Sequence, residues 1–212
     1  MVLRRAAAPS LAPSVALSLA LSMALLTTGC ATRAPQAERD GPPEQVPPGL
    51  LQRPDAQPRI EALRAGGPNK PYEALGRRYE PVLADLPMAE TGLASWYGRK
   101  YHGRNTSSGE PYDMFAMTAA HKTMPIPSYA RVRNPANGRE VVVRINDRGP
   151  FADGRVIDLS YTAALKLGVL NGVAPVEVRR ITQAEIRRGV AGAASAAVDD
   201  PRAAAILNGS AP

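Results

Sequence analysis

Glu110, Asp113, His121 and Asp147 lie close together in the chain, separated by glycines and short apolar runs. Gathered into one groove, three carboxyl groups and an imidazole could do acid–base work. A carboxyl that keeps its proton can protonate a leaving oxygen, and once ionised it can take a proton back. Burial or a neighbouring carboxylate is what holds such a proton in place near neutral pH. Asp147 is the first choice for this role. It directly follows Glu140 to Ile145, the strongest strand candidate, and Gly149-Pro150 then forces the chain away, which leaves its side chain at a rim. The competing reading makes Asp147 a turn cap or a partner of Arg148. The others have plainer readings too: Glu110 after Ser107-Ser108-Gly109 as a solvated loop carboxylate, His121 as a satisfied core histidine, Asp113 after Pro111-Tyr112 as a turn residue. Asp158, just before Ser160, reads as structural, favouring a helix N-terminus.

The elements that must position these groups are short. Strand patterns run over Thr91–Gly98, Phe115–Ala120, Ala130–Arg133, Glu140–Ile145, Val156–Leu159 and Val173–Ile181. Asn137-Gly138 carries turn chemistry, and Arg99 to Pro111 reads as a long surface loop, where binding residues concentrate. Ser160 suits the N-cap of a helix over Tyr161–Leu167, with Gly168 at its C-terminus. Half a dozen short strands with one or two short helices predict a mostly β domain over 89–182, closed into a small barrel that leaves no edge.

The flanks read differently. Residues 1–29 have the layout of a secretory leader: a short basic start, an apolar run too short to span a bilayer, and Gly29 before Cys30. Gly29-Cys30 resembles a bacterial lipobox, with Thr27 where Leu is usual, so lipidation of Cys30 is expected. Ala31 after it favours sorting to the inner leaflet of the outer membrane. Residues 30–88 are Pro-rich and read as a disordered tether, interrupted by Tyr72 to Tyr79, which could pack on the domain or bind a partner. Residues 183–212 read as an Ala-rich, frayed tail. The single Cys excludes an internal disulfide framework. Lys+Arg 26 against Asp+Glu 19 give +7, with the excess on 89–182. Such a field attracts polyanions in general. No basic run, recognition helix or RNA-binding signature accompanies it, so nucleic acid is not expected; anionic wall polymer or a membrane surface fits the charge.

Five motifs in order, Gly92-Leu93-Ala94-Ser95-Trp96-Tyr97-Gly98, Thr106-Ser107-Ser108-Gly109-Glu110, Met117 to Pro125, Val141 to Pro150 and Arg155 to Ser160, resemble the rare lipoprotein A (RlpA) family. The resemblance implies a six-stranded double-psi β-barrel and an endolytic peptidoglycan lytic transglycosylase. It places the family's important site residues at Glu110, His121 and Asp147, with Asp113 alongside. Such an enzyme needs one carboxyl as acid and then base, because the C6 hydroxyl of N-acetylmuramic acid attacks its own anomeric carbon and leaves a 1,6-anhydro end. Tyr97, Tyr101, Asn105 and Tyr112 are then candidates for binding sugar. The expected partners are glycan strands poor in stem peptides and, through Cys30, a membrane; a monomer is expected. Two histidines with scattered carboxylates fall short of zinc spacing, and no phosphate cradle stands out, so neither metal nor cofactor is expected. Two rival readings stay open: an expansin-like module that binds or loosens wall glycan without cutting it, and an envelope lipoprotein acting through its tether.

Overall fold

The computed structural model describes residues 39–64 and 66–189. The expected leader, Cys30 and the tail from 190 onward lie outside the described residues. A short hairpin, β1 (Tyr72–Ala74) and β2 (Arg77–Tyr79), precedes six longer strands: β3 (Ala89–Trp96), β4 (Thr118–His121), β5 (Ser128–Arg133), β6 (Glu140–Asp147), β7 (Arg155–Leu159) and β8 (Ala174–Ile181). The six close in the order β3-β7-β4-β6-β5-β8. Pairs β3–β7 and β4–β6 are parallel, and the other neighbours are antiparallel. This is the expected double-psi barrel. Its bore is narrow, so alanines alternate with branched side chains: Ala94, Ala119, Ala130, Val132, Val143 and Ile145 are fully buried there.

Helix α1 (Tyr161–Leu167) packs Ala163, Ala164 and Leu167 into the same core. Its ends follow the sequence signals. Ser160 Oγ accepts from Ala163 N at 3.3 Å, and Gly168 at φ 78° takes the left-handed conformation that ends the helix. Strands β5 and β6 are buried on both faces, which explains the apolar run of β6 from Val141 to Val143: outside the bore, Tyr129, Val142 and Ile181 form a further cluster with Ala56 and Ile186.

That outer layer corrects the expectation of a disordered tether. Over 39–64 and 66–88 the chain is a strap bound along the barrel wall. Ala56 N donates to Val142 O at 3.1 Å, and the Asp55 carboxylate accepts from Val142 N at 2.9 Å while pairing with Lys166. Asn69, buried, donates to Ile126 O and accepts from Ile126 N at 2.7 and 2.9 Å. Tyr72 Oη donates to Lys122 O at 2.8 Å, and Val82 N to Thr123 O at 2.9 Å. Prolines remove donors and keep the segment extended, so its remaining amide groups bond outward, to the barrel, instead of to each other. Tyr72 to Tyr79, the interruption noted in the sequence, is the β1–β2 hairpin. The frayed-tail expectation also changes at its start: α2 (Gln183–Arg187) opens with a capping box between Thr182 and Glu185, and Asp85 of the strap accepts from Gln183 N and Ala184 N.

Candidate active site

Two irregularities in the barrel ladder decide which side chains meet at one groove. Between β4 and β6, Ala119 pairs with Ile145 but Ala120 with Asp147, so Asn146 is the extra residue of a bulge. Between β3 and β7, Leu93 pairs with Arg155 but Ala94 with Ile157, which makes Val156 extra. Each bulge moves the side-chain alternation by one residue and re-aims the side chains beyond it. A row results across four neighbouring strands. Ser95 of β3 lies beside Asp158 of β7, Asp158 beside Ala120 of β4, and Ala120 beside Asp147 of β6. The two aspartates are two strand spacings apart, roughly 10 Å between Cα atoms, with only a methyl group between them. All four residues line an open groove of about 640 Å³. Trp96, Tyr97, Tyr101, Phe151 and Arg155 also line it, and the strap contributes Asp40 and Leu75.

The two carboxyl groups have different surroundings. Asp158 Oδ1 accepts from Ser95 Oγ at 2.5 Å, and Oδ2 from Arg155 Nη2 at 3.3 Å. Burial pushes its carboxyl above the ordinary value, and the Ser95 bond and the Arg155 charge offset this only in part. Asp147 Oδ1 accepts three bonds: from Ser107 N at 2.8 Å, Ser107 Oγ at 2.6 Å and Arg148 N at 2.8 Å. Its neighbour Arg148 turns away from the groove carboxylates. The guanidinium is spent on Pro68 O, His121 O, Met124 O and Asn69 Oδ1, and burial draws it down to about 10. Tyr97 stacks on Tyr112 with ring centroids 4.1 Å apart, and its hydroxyl is buried near Thr118. Burial first, then Tyr112, Asp147 and Asp158, pushes this phenol well up, so it stays neutral.

Not every residue singled out in the sequence reaches the groove. Asp147, Tyr97 and Tyr101 line it, and Tyr101 is 40% exposed beside Tyr97. Glu110 is not part of the groove lining and is held by Arg144 and Asn146 of β6. Arg144 grips it in a two-pronged pair at 2.8 and 3.1 Å and holds its carboxyl below the ordinary range, so it is an anion and not an acid. The same arginine grips Glu61 of the strap at 2.9 Å through two nitrogens. His121 is fully buried. Its Nδ1 accepts from Thr123 N and Met124 N at 3.1 and 3.0 Å, which leaves the proton on Nε2, 3.4 Å from Glu90. Its role in the geometry is to shape the turn whose carbonyls hold Arg148. Tyr112, proposed for sugar, is a core residue: 2% exposed, with its hydroxyl donating to Tyr97 O at 2.5 Å. Asp113 caps Phe115 N at 2.9 Å and Asn105 bridges to Pro111, both outside the groove.

Sequence reasoning missed Asp158, Ser95 and Ser107. Asp158 next to a helix start looks like a helix-dipole partner, and only the bulge at Val156 turns it into the groove. No local periodicity announces a bulge. Ser107 lies in a recognised motif, but its bond to Asp147 spans 40 residues of chain.

The family described as "Lytic transglycolase" and built on this barrel matches residues 89–178. Among similar proteins is the endolytic peptidoglycan transglycosylase RlpA of Vibrio cholerae, 49% identical over 162 residues, 74% of this chain and 60% of that one. Its counterpart in Neisseria meningitidis is 54% identical over 128 residues, 60% of this chain and 53% of that one. The Pseudomonas aeruginosa protein is 43% identical over 175 residues, 74% of this chain and 50% of that one. The chain therefore spans between half and three-fifths of the length of these relatives. Among solved structures, a Streptomyces papain inhibitor aligns at 25% identity over 44% of this chain and 94% of its own, with a TM-score of 0.36. A mutant Clavibacter michiganensis expansin in complex with cellohexaose aligns at 21% identity over 44% and 50%, with a TM-score of 0.35. With most of the barrel matched, from 89 to 178, and identities of 43–54% over the aligned stretches, the chain is similar to the RlpA transglycosylases.

Proposed function

We propose that this protein is a lytic transglycosylase that cuts peptidoglycan glycan strands, those poor in stem peptides, between N-acetylmuramic acid and N-acetylglucosamine. The observation that carries the reading is the pair of unlike carboxyl groups in one groove. Asp158 is desolvated and keeps its proton to higher pH than a free carboxyl, while Asp147 is fixed by three donors. Asp158 gives its proton to the bridging oxygen as the bond from C1 breaks. The Asp147 carboxylate stabilises the positive charge that grows at C1. The C6 hydroxyl of the same sugar then attacks C1, and its proton returns to Asp158. One glycosidic bond is broken and one 1,6-anhydro bond is made, with no water consumed. Tyr101, exposed at the groove, offers its ring and hydroxyl to the sugar beside the scissile bond, and Tyr97 backs it from below. Asp147, first choice from sequence for the acid, becomes the stabilising anion, and Glu110 and His121 become positioning residues.

The test is to incubate the full chain with glycan stripped of stem peptides and with peptide-bearing glycan, and to read the new ends by mass spectrometry. Anhydromuramic ends, lost in Asp158→Asn, are expected, mainly from stripped strands. Ends carrying an added water would replace this reading with hydrolysis, and binding without products would replace it with an expansin-like module. The Gly29-Cys30 motif after an apolar run supports the further proposal of a lipid anchor in the envelope. Labelling by radioactive palmitate, lost in Cys30→Ser, tests it.

A further inference from the structure

A second hollow, of about 440 Å³, opens beside the groove. It is lined by Pro68, Tyr72, Glu73, Ala74, Ser107, Arg148 and Phe151, among others, and the last two also line the groove itself. Most of its wall comes from the strap and the β1–β2 hairpin, outside the segment that the family pattern matches. The hairpin is held firmly. Tyr72 stacks on Tyr79 at 5.3 Å, both rings meet Phe151 at 6.1 and 5.6 Å, and the Arg148 guanidinium lies 5.9 Å from the Tyr72 ring centre. At its tip Leu75, at φ 50° and 81% exposed, reaches the groove.

The boundary between the two hollows falls at the proposed site of cleavage. Ser107 lines the second hollow, while its hydroxyl and amide hold Asp147 Oδ1 at 2.6 and 2.8 Å. An enzyme that cuts within a strand must hold sugars on both sides of the broken bond. Pyranose rings present flat C–H faces and a rim of hydroxyls, which suit aromatic rings flanked by acceptors. Tyr72 and Phe151 supply such rings, and Glu73, exposed and without an ion-pair partner among the described residues, supplies the acceptor.

We propose that the strap hairpin builds a second sugar-binding compartment, continuous with the groove at Ser107 and Arg148, which holds the next sugars of the same glycan strand beyond the scissile bond. The proposal rests on the transglycosylase reading. Its test compares the full chain with Ala74→Trp, which fills the hollow, and Glu73→Ala, which removes its acceptor without touching the packing. Cleavage of stripped tetrasaccharides and of long stripped strands is followed by anhydro-end formation. The wild type should prefer long strands, and both variants should lose about tenfold in the ratio of kcat/KM for long over short substrate, mainly through KM. An unchanged ratio in folded Ala74→Trp, or in Glu73→Ala should the tryptophan variant fail to fold, overturns the compartment. Failure of the wild type to form anhydro ends from either substrate instead overturns the reading on which it rests.

Discussion

Burial of Asp158 sets stability against chemistry at one atom. Its folded-state value is raised, so the neutral form is the one that folding favours, and an increasing penalty falls on the folded state as pH climbs from the free value of 3.8 through the raised one. Asp158→Asn removes that penalty while keeping an oxygen for Ser95. The variant should unfold at the same temperature as wild type near pH 3 and at an equal or higher temperature at pH 7, measured by calorimetry, while losing at least ~100-fold in cleavage rate, the typical contribution of a general acid. Cleavage by the wild type should also fall as pH rises through the raised value, since the acid must begin protonated. Glu61 behaves oppositely. Its hydrogen bond from Arg144 depresses the carboxyl below 4.5, so the stabilisation is complete above that pH and disappears as pH falls through the depressed value. Glu61→Gln should lower unfolding free energy by about 1.5–3 kcal/mol at pH 7, the range for a hydrogen bond to a charged group, and by much less in acid. Denaturant titrations at two pH values check this.

At the scale of elements, the strap is fixed by a few buried polar bonds instead of a continuous apolar face. Asn69 is the strongest of them, bridging both backbone groups of Ile126, Arg64 O and the Arg148 guanidinium. Asn69→Ala leaves the Ile126 groups unpaired, and the expected loss is about 3 kcal/mol, since each buried orphan costs about 1–3 kcal/mol. Leu51→Ala, at a position on the same strap that is 57% exposed, should change stability by less than about 0.5 kcal/mol. This dependence on single polar contacts is why the strap escaped sequence reasoning. A Pro-rich extended segment has the same composition whether its amide groups bond to water or to a barrel, and the deciding partners lie in other strands. The barrel strands were legible because alternation and apolar runs are local: Glu140 to Ile145 and Val156 to Leu159 fall inside β6 and β7. The ends of α1 were legible too, through Ser160 and Gly168. The groove was half legible. Asp147 announces itself by the turn at Gly149-Pro150, whereas Asp158 depends on a register shift that no short window of sequence contains.

For the molecule as a whole, the matched segment 89–178 is less than the folded unit. A chain beginning at residue 89 would lack Asp40 and Leu75 from the groove, the Asn69 bridge and the Asp55 bond to Val142. It should unfold without a sharp transition and release little anhydro product, while a chain over 39–189 keeps both properties; paired melting and cleavage assays decide. The strap also constrains the order in which the protein can assemble. Ala84 O and Leu86 O are held by Arg180, and Asp85 by the amides that open α2, contacts that join residues more than 90 positions apart. An emerging chain therefore exposes its first portion long before the last strand exists to receive it. Refolding should be slow, as for other proteins dominated by distant pairings, and the waiting segment is where a holding chaperone would act.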